Sequence, residues 1–339
     1  MNQSAQPEAS PTSDAAPEIA RPAMSSRWRT ALSMRPGAAG ASDASIRLEL
    51  ALLAAPPVLC AAAMLFIQRA PINWLVVVCE LLAAASALLG IAALASAHRL
   101  PSAAEGRRQS ATTQGVALLA LAALCALPIL LGGTLAALLA LALGIVAFLL
   151  YGVEGVRSRI APLDALLAAL GLGPGLFCLT ILAQGQRFTR AEWLVAIALG
   201  GMTFAVVAGL SLRGAAATDR GSATVVEDSR APRTLATVIG SRAASIIIGL
   251  AVLVSYAVVV VIAVPRGGWP GALLALTSAP LALVGFSGLA VSAYAPARRV
   301  AARQLLRAYL WYGLALAIGL GLTLIAQEII QATVKSLGG

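Results

Sequence analysis

A chain of 339 residues that is 60% hydrophobic and 11% charged, with a mean hydropathy of +0.89, is not built for water; soluble domains carry about 25% charged residues. A net charge of +10 would suit a nucleic acid or an anionic surface, but the basic residues fall in alternate polar connections rather than in one stripe, which excludes a nucleic-acid partner. Short alternating strands with aromatic girdles would mark a membrane barrel. The sequence has none, and the class expected is an all-α integral membrane protein.

Residues 1–45 are rich in Ser, Ala, Pro and Gly, with scattered Arg and no apolar periodicity, the pattern of a disordered tail. No short apolar core with a cleavage site follows the basic residues, so the tail does not read as a secretory signal. From Glu49 onward the chain is a string of apolar runs, each near the ~20 residues that cross a hydrocarbon core. Nine transmembrane helices are expected, at 49–67, 72–97, 114–131, 134–151, 162–183, 191–212, 237–264, 270–294 and 304–330, followed by a short outer tail at 332–339. Pro56, Pro57, Pro128, Pro174 and Pro280 fall inside these runs, where neighbouring helices can satisfy the freed backbone groups. Cys60, Cys79, Cys125 and Cys178 lie in separate runs without metal-ligand or redox spacing, and read as small apolar residues.

The basic residues orient this map. With a cytoplasmic N-terminus, only Arg69, Arg187, Arg190, Arg266 and Lys335 of the 24 Lys and Arg fall outside. The other nineteen sit in the tail and in the inside connections, as the positive-inside rule requires of a nine-helix chain. The expected location is a bacterial-type inner membrane, with the N-terminus in the cytoplasm and the C-terminus outside. Outside connections are short, whereas those at 98–113 and 213–236 are long and polar, so aqueous chemistry is expected on the cytoplasmic face.

Several local signatures then follow in order. Ile46-Arg47 leads to Pro57-Val58; Asn73-Trp74-Leu75 opens the second helix and Gln114-Gly115 the third. Tyr151-Gly152 ends the fourth, Pro162-Leu163-Asp164 begins a fifth with Leu170-Gly171-Leu172-Gly173-Pro174-Gly175, and Arg233-Thr234-Leu235-Ala236 with Ile239-Gly240 enters the seventh. Over about residues 46–330 the chain resembles the UbiA-type intramembrane prenyltransferases, most closely the dihydroxynaphthoate-prenyltransferase branch. The resemblance implies a helical bundle around a central, lipid-accessible cavity. It also implies transfer of a polyprenyl chain to an acceptor, with magnesium held by two aspartate-rich cytoplasmic segments. Such clustering suits an ion that takes oxygen ligands and shares them with phosphates.

Both aspartate motifs are degenerate here. Where the family has Asn-Asp-x-x-Asp at the end of the second helix, this chain places Ser96, Ala97 and Leu100 in the three slots. Counting back from Thr234, the second pair falls on Ala223 and Glu227; counting from Arg213, it falls on Gly214 and Thr218. Asp219, Glu227 and Asp228 remain nearby as a reduced magnesium site or as solvated loop acids, with Glu105 in the other loop. The same loops are rich in arginine. Arg99, Arg107 and Arg108 beside His98, and Arg213, Arg220, Arg230 and Arg233, either grip a diphosphate or lipid headgroup without metal or serve only to fix topology. Asp164 either orients an acceptor or favours the positive end of the fifth helix. His98 is the single histidine and can build neither a metal site nor a relay alone. Glu80 is the one acid well inside the second helix, and intramembrane acids face protein or a wet cavity. Glu328 sits near the outer end of the last helix, where it can reach the interface.

These residues single out no catalytic group. They support three readings. The first is a prenyltransferase-like protein that binds a polyprenyl (diphosphate) or quinone-type lipid, with magnesium-dependent transfer lost or altered, acting alone, as a homo-oligomer or with a membrane-protein partner. The second is an active prenyltransferase of quinone or isoprenoid-lipid synthesis with an atypical diphosphate site. The third is a small-solute transporter, which would need paired intramembrane charges or helices broken in corresponding halves.

Overall fold

The computed structural model describes residues 51–99, 105–132, 134–152, 161–215, 235–264, 268–291 and 295–337. The expected tail at 1–45 lies outside them. Among the described residues every regular element is helical, because a chain in hydrocarbon must satisfy each backbone group within its own segment. α1 is a 3₁₀ turn, Leu52–Ala54, running into Ala55–Ile67. α2 is Trp74–Arg99, α3 Glu105–Gly132 and α4 Leu135–Gly152. α5 joins Ala161–Leu170 to Leu176–Ala183 through a π turn, Gly171–Gly175. α6 is Arg190–Ala215, α7 the short Leu235–Ile239 and α8 Ser241–Ala263. α9 combines a 3₁₀ stretch, Pro270–Ser278, with Ala279–Val291, and α10 is Ala295–Leu337.

Among the described residues seven helices are long and apolar enough to cross a membrane: α2, α3, α5, α6, α8, α9 and α10. The chain is therefore a multi-pass membrane protein. α1, over Leu52–Ile67, is apolar but shorter. Most apolar runs read from the sequence coincide with helices, and the departures have local causes. α3 begins nine residues before the expected 114, and α10 spans 43 residues where 304–330 was expected. Hydropathy marks the solvent around a helix, not the helix itself, and both helices run on as polar turns. At 1.5 Å per residue α10 is about 64 Å long, roughly twice a ~30 Å hydrocarbon core. The expected outer tail at 332–339 is thus helical up to Leu337. The run expected at 237–264 is interrupted at Gly240, whose φ of 86° no L side chain adopts easily.

The core gathers where α10 packs on α1, α6 and α9. Tyr309 and Tyr312 of α10 are fully buried there. The Tyr309 hydroxyl donates to the Leu53 carbonyl at 3.0 Å and lies 3.2 Å from Thr203 Oγ1. Tyr312 donates to the Ser255 carbonyl at 3.4 Å, and its ring meets Tyr256 edge-on at 5.5 Å. Cys60 is buried and donates to the Gly313 carbonyl, whereas Cys79, Cys125 and Cys178 are half-buried.

One end of the bundle is fastened by polar contacts between connections. Glu192 caps the start of α6 through its side chain: the Thr189 N–H donates to Glu192 Oε2, and Gln68 Nε2 donates to Oε1 at 2.8 Å. Asn73 N–H donates to Gln184 Oε1 at 2.8 Å, Gln184 Nε2 returns a bond to the Asn73 carbonyl at 3.2 Å, and Thr134 Oγ1 donates to the Leu182 carbonyl at 3.4 Å. Arg69, at φ 54°, pairs with Glu328 at 2.8 Å across an exposed surface, a contact worth little by itself. The α1–α2, α3–α4 and α5–α6 connections therefore share one end, and the helix ends carrying Arg99, Arg107 and Arg213 point to the other. Glu192 is fully buried with both oxygens bonded. Glu192→Ala removes a cap and its bond from Gln68, whose exposed donors water can then satisfy, so unfolding in detergent should show a loss of about 1–2 kcal/mol. Glu192→Gln should lose less, since its amide oxygen still accepts one of the two bonds.

Candidate functional site: an apolar cavity with one acid

A cavity of about 360 Å³ lies between α2, α3, α4 and α5. Its size falls in the lower part of the ~300–1,000 Å³ range of small-molecule sites. The sequence makes this space from small residues. Ala83, Ala84 and Ala87 of α2 face Ala122 and Ala126 of α3, and Ala140 and Gly144 stand on α4. α5 contributes its π turn: Pro174 has no N–H to donate, so the ladder widens there, and the bare Cα atoms of Gly171 and Gly175 form part of the wall. Gly173, on the same turn, lies against Gly200 of α6, where a Cβ would come 3.1 Å from the Gly200 Cα. The wall is thereby fixed from behind.

Among the described residues Glu80 is the one charged or polar side chain that lines this space; the others there are Ala, Gly, Ile or Leu. Its side chain is buried, with 1% of the residue exposed, and neither carboxyl oxygen has a hydrogen-bond partner. Thr180 lies beside it, but the Thr180 hydroxyl donates to the Leu176 carbonyl at 2.9 Å. The contrast with Glu192, bonded through both oxygens, is direct. From Glu80 the cavity runs along α2 to Leu94, fourteen residues or about 21 Å of helix. Ala123 of α3 and Ile145 of α4 line it and are also exposed, so the space opens sideways between α3 and α4.

The residues singled out from the sequence are distributed differently. Arg107 and Arg108 are exposed on the first turns of α3, twelve and eleven residues before Leu119, the first α3 residue of the cavity wall. His98 is exposed near the end of α2, whose last residue is Arg99. Arg213 lies in the last turn of α6, and Asp164 in the first turns of α5. Arg220, Arg230, Arg233, Asp219, Glu227 and Asp228 lie outside the described residues. Among the described residues no group of three His, Cys, Asp or Glu side chains could hold a metal ion. Glu80 was visible in the sequence as a lone intramembrane acid; its unpaired state and the alanine-lined space before it were not. No family model and no curated protein matches this chain.

Proposed function

We propose that this protein is a nine-span membrane protein with a UbiA-like bundle that binds a polyprenyl (diphosphate) or quinone-type lipid, without needing magnesium-dependent transfer. It resides in a bacterial-type inner membrane with its N-terminus in the cytoplasm. The observation that carries this reading is the apolar cavity between α2 and α5, about 21 Å long beside α2 and open between α3 and α4. An elongated apolar body fits such a space and can enter from the bilayer without crossing water. Arg99, Arg107 and Arg108 lie on the ends of α2 and α3 beyond Leu94, where guanidinium groups could hold an anionic headgroup bidentately. Arg213, Arg220 and Arg233 supply the same chemistry from the second loop, and Asp164 the orientation of a neutral acceptor group. Turnover is not part of this reading. A diphosphate leaving group needs several kcal/mol of charge stabilisation, of the size a bound divalent ion supplies, and the paired aspartates that would hold one are replaced.

The test is equilibrium binding of farnesyl and geranylgeranyl diphosphate to the purified protein, with magnesium and with EDTA. Binding is expected in both buffers, and replacing Arg107, Arg108, Arg213 and Arg220 together with Gln should weaken it by about tenfold or more. Magnesium-dependent binding would instead favour an active transferase using Asp219, Glu227 and Asp228. Absence of binding in either buffer overturns the reading.

A further inference from the structure

The two ends of the cavity differ in chemistry, and only one of them suits a diphosphate. At the Arg107 end the cavity wall ends in apolar residues, Leu94 and Leu119, with the arginines exposed beyond. At the other end stands Glu80, buried, with both oxygens unpartnered and, among the described residues, no basic residue in the lining. An unpaired polar group in apolar surroundings is a standing energetic penalty. A ligand that bonds it relieves that penalty, and such a ligand gains affinity beyond its apolar contacts. An anion at Glu80 would meet a carboxyl with no cation beside it. A group with no hydrogen-bond donor would leave at least one of the two oxygens without a partner. A hydroxyl donates to a carboxyl oxygen and needs no charge of its own.

We infer that the cavity holds a hydroxyl-bearing isoprenoid or quinol-type lipid with its hydroxyl on Glu80 and its apolar body lying along α2 towards Leu94. This rests on the lipid-binding reading above and narrows it: a lipid alcohol lies in the cavity with its polar end away from the loop arginines, the opposite orientation to that of a diphosphate. The hydroxyl is bound here, not transferred. Thr180, committed to the Leu176 carbonyl, leaves the ligand's proton to go to Glu80. The side entrance between Ala123 and Ile145 lets such a lipid come from the bilayer.

Three probes with one apolar body separate the possibilities: farnesol, farnesyl methyl ether and farnesyl diphosphate, each titrated into the full-length protein in detergent. Farnesol should bind about tenfold tighter than the ether, which keeps the oxygen and lacks the donor. Glu80→Leu should erase that preference. Glu80→Gln, whose amide oxygen still accepts, should keep most of it. Equal binding of farnesol and its ether to the wild type, or a preference that survives in Glu80→Leu, overturns the anchor while leaving the lipid-binding reading intact. If no farnesyl compound binds any form, both fall together. Ala126→Phe, which fills the space before Glu80, should weaken farnesol in a protein that keeps its acid; unchanged farnesol binding there would place the alcohol elsewhere and also overturn the anchor.

Discussion

Replacing Gly319 by leucine should leave little folded protein, and Gly319→Ala should already cost about 2–3 kcal/mol in detergent unfolding. At this crossing of α9 and α10 the two backbones touch. A Cβ on Gly319 would fall well inside contact distance of the Gly271 carbonyl, and a Cβ on Gly271 would strike the Gly319 carbonyl in return. The obstacle is main chain on both sides, so no rotamer change can make room, and overpacking of this kind costs about 1–3 kcal/mol or more. The close approach also lets the Gly271 N–H donate to Thr323 Oγ1 at 3.0 Å, while that hydroxyl donates to the Gly319 carbonyl at 3.0 Å. Separating the helices breaks this link as well. In a bilayer, where apolar side chains gain nothing by leaving lipid, such small-residue contacts hold helices together. Two comparisons sharpen the test. Gly321, two residues further along α10, would meet nothing with an added Cβ, so Gly321→Ala should be neutral or stabilising by about 0.5–1 kcal/mol. In the double variant Gly271→Ala with Gly319→Ala the second change should cost less than the first, because the helices are already apart. Equal losses at 319 and 321 would mean that the crossing is not what holds α9 and α10.

That crossing shows where the sequence stops informing. The apolar runs located α2 at 72–97, observed as Trp74–Arg99, and α6 at 191–212, observed as Arg190–Ala215, because lipid demands an apolar surface wherever a helix meets it. The same demand hides everything internal. Ala83, Ala87 and Ala126, which enclose the cavity, are the same residue type as the exposed Ala120, which faces outward on α3. No periodicity separates them when both environments are apolar. Polar helix extensions were missed for the opposite reason: from Glu105 to Gln114 α3 is exposed at every residue but the half-buried Ala111, so its hydropathy resembles a loop. Among the candidate residues the resemblance directed attention to the arginines and acids of the loops, several of which lie outside the described residues. The acid that faces the cavity is Glu80, and its meaning depends on α3, α4 and α5, segments distant in sequence.

The same acid should declare itself in stability. Glu80→Leu is expected to raise the unfolding free energy of the ligand-free protein by about 1–3 kcal/mol, the usual cost of leaving a buried polar group unpaired. Leucine is close to glutamate in size and matches the rest of the cavity wall. Glu80→Gln should change little, because an amide at that position is equally unpaired, so the order of stability is Leu above Gln and Glu. A purely structural acid predicts the reverse, with Leu below both. Ligand then acts in the opposite direction. At a farnesol concentration a hundred times its dissociation constant the wild type gains about 2.7 kcal/mol, and a variant binding tenfold more weakly gains about 1.4 kcal/mol. The advantage of Glu80→Leu should therefore shrink by about 1.3 kcal/mol when farnesol is present. A variant that is more stable empty and gains less when filled would identify Glu80 as a residue held at a cost to the fold and used by the ligand. If Glu80→Leu instead unfolds more easily without ligand, the carboxyl has a stabilising partner in the membrane.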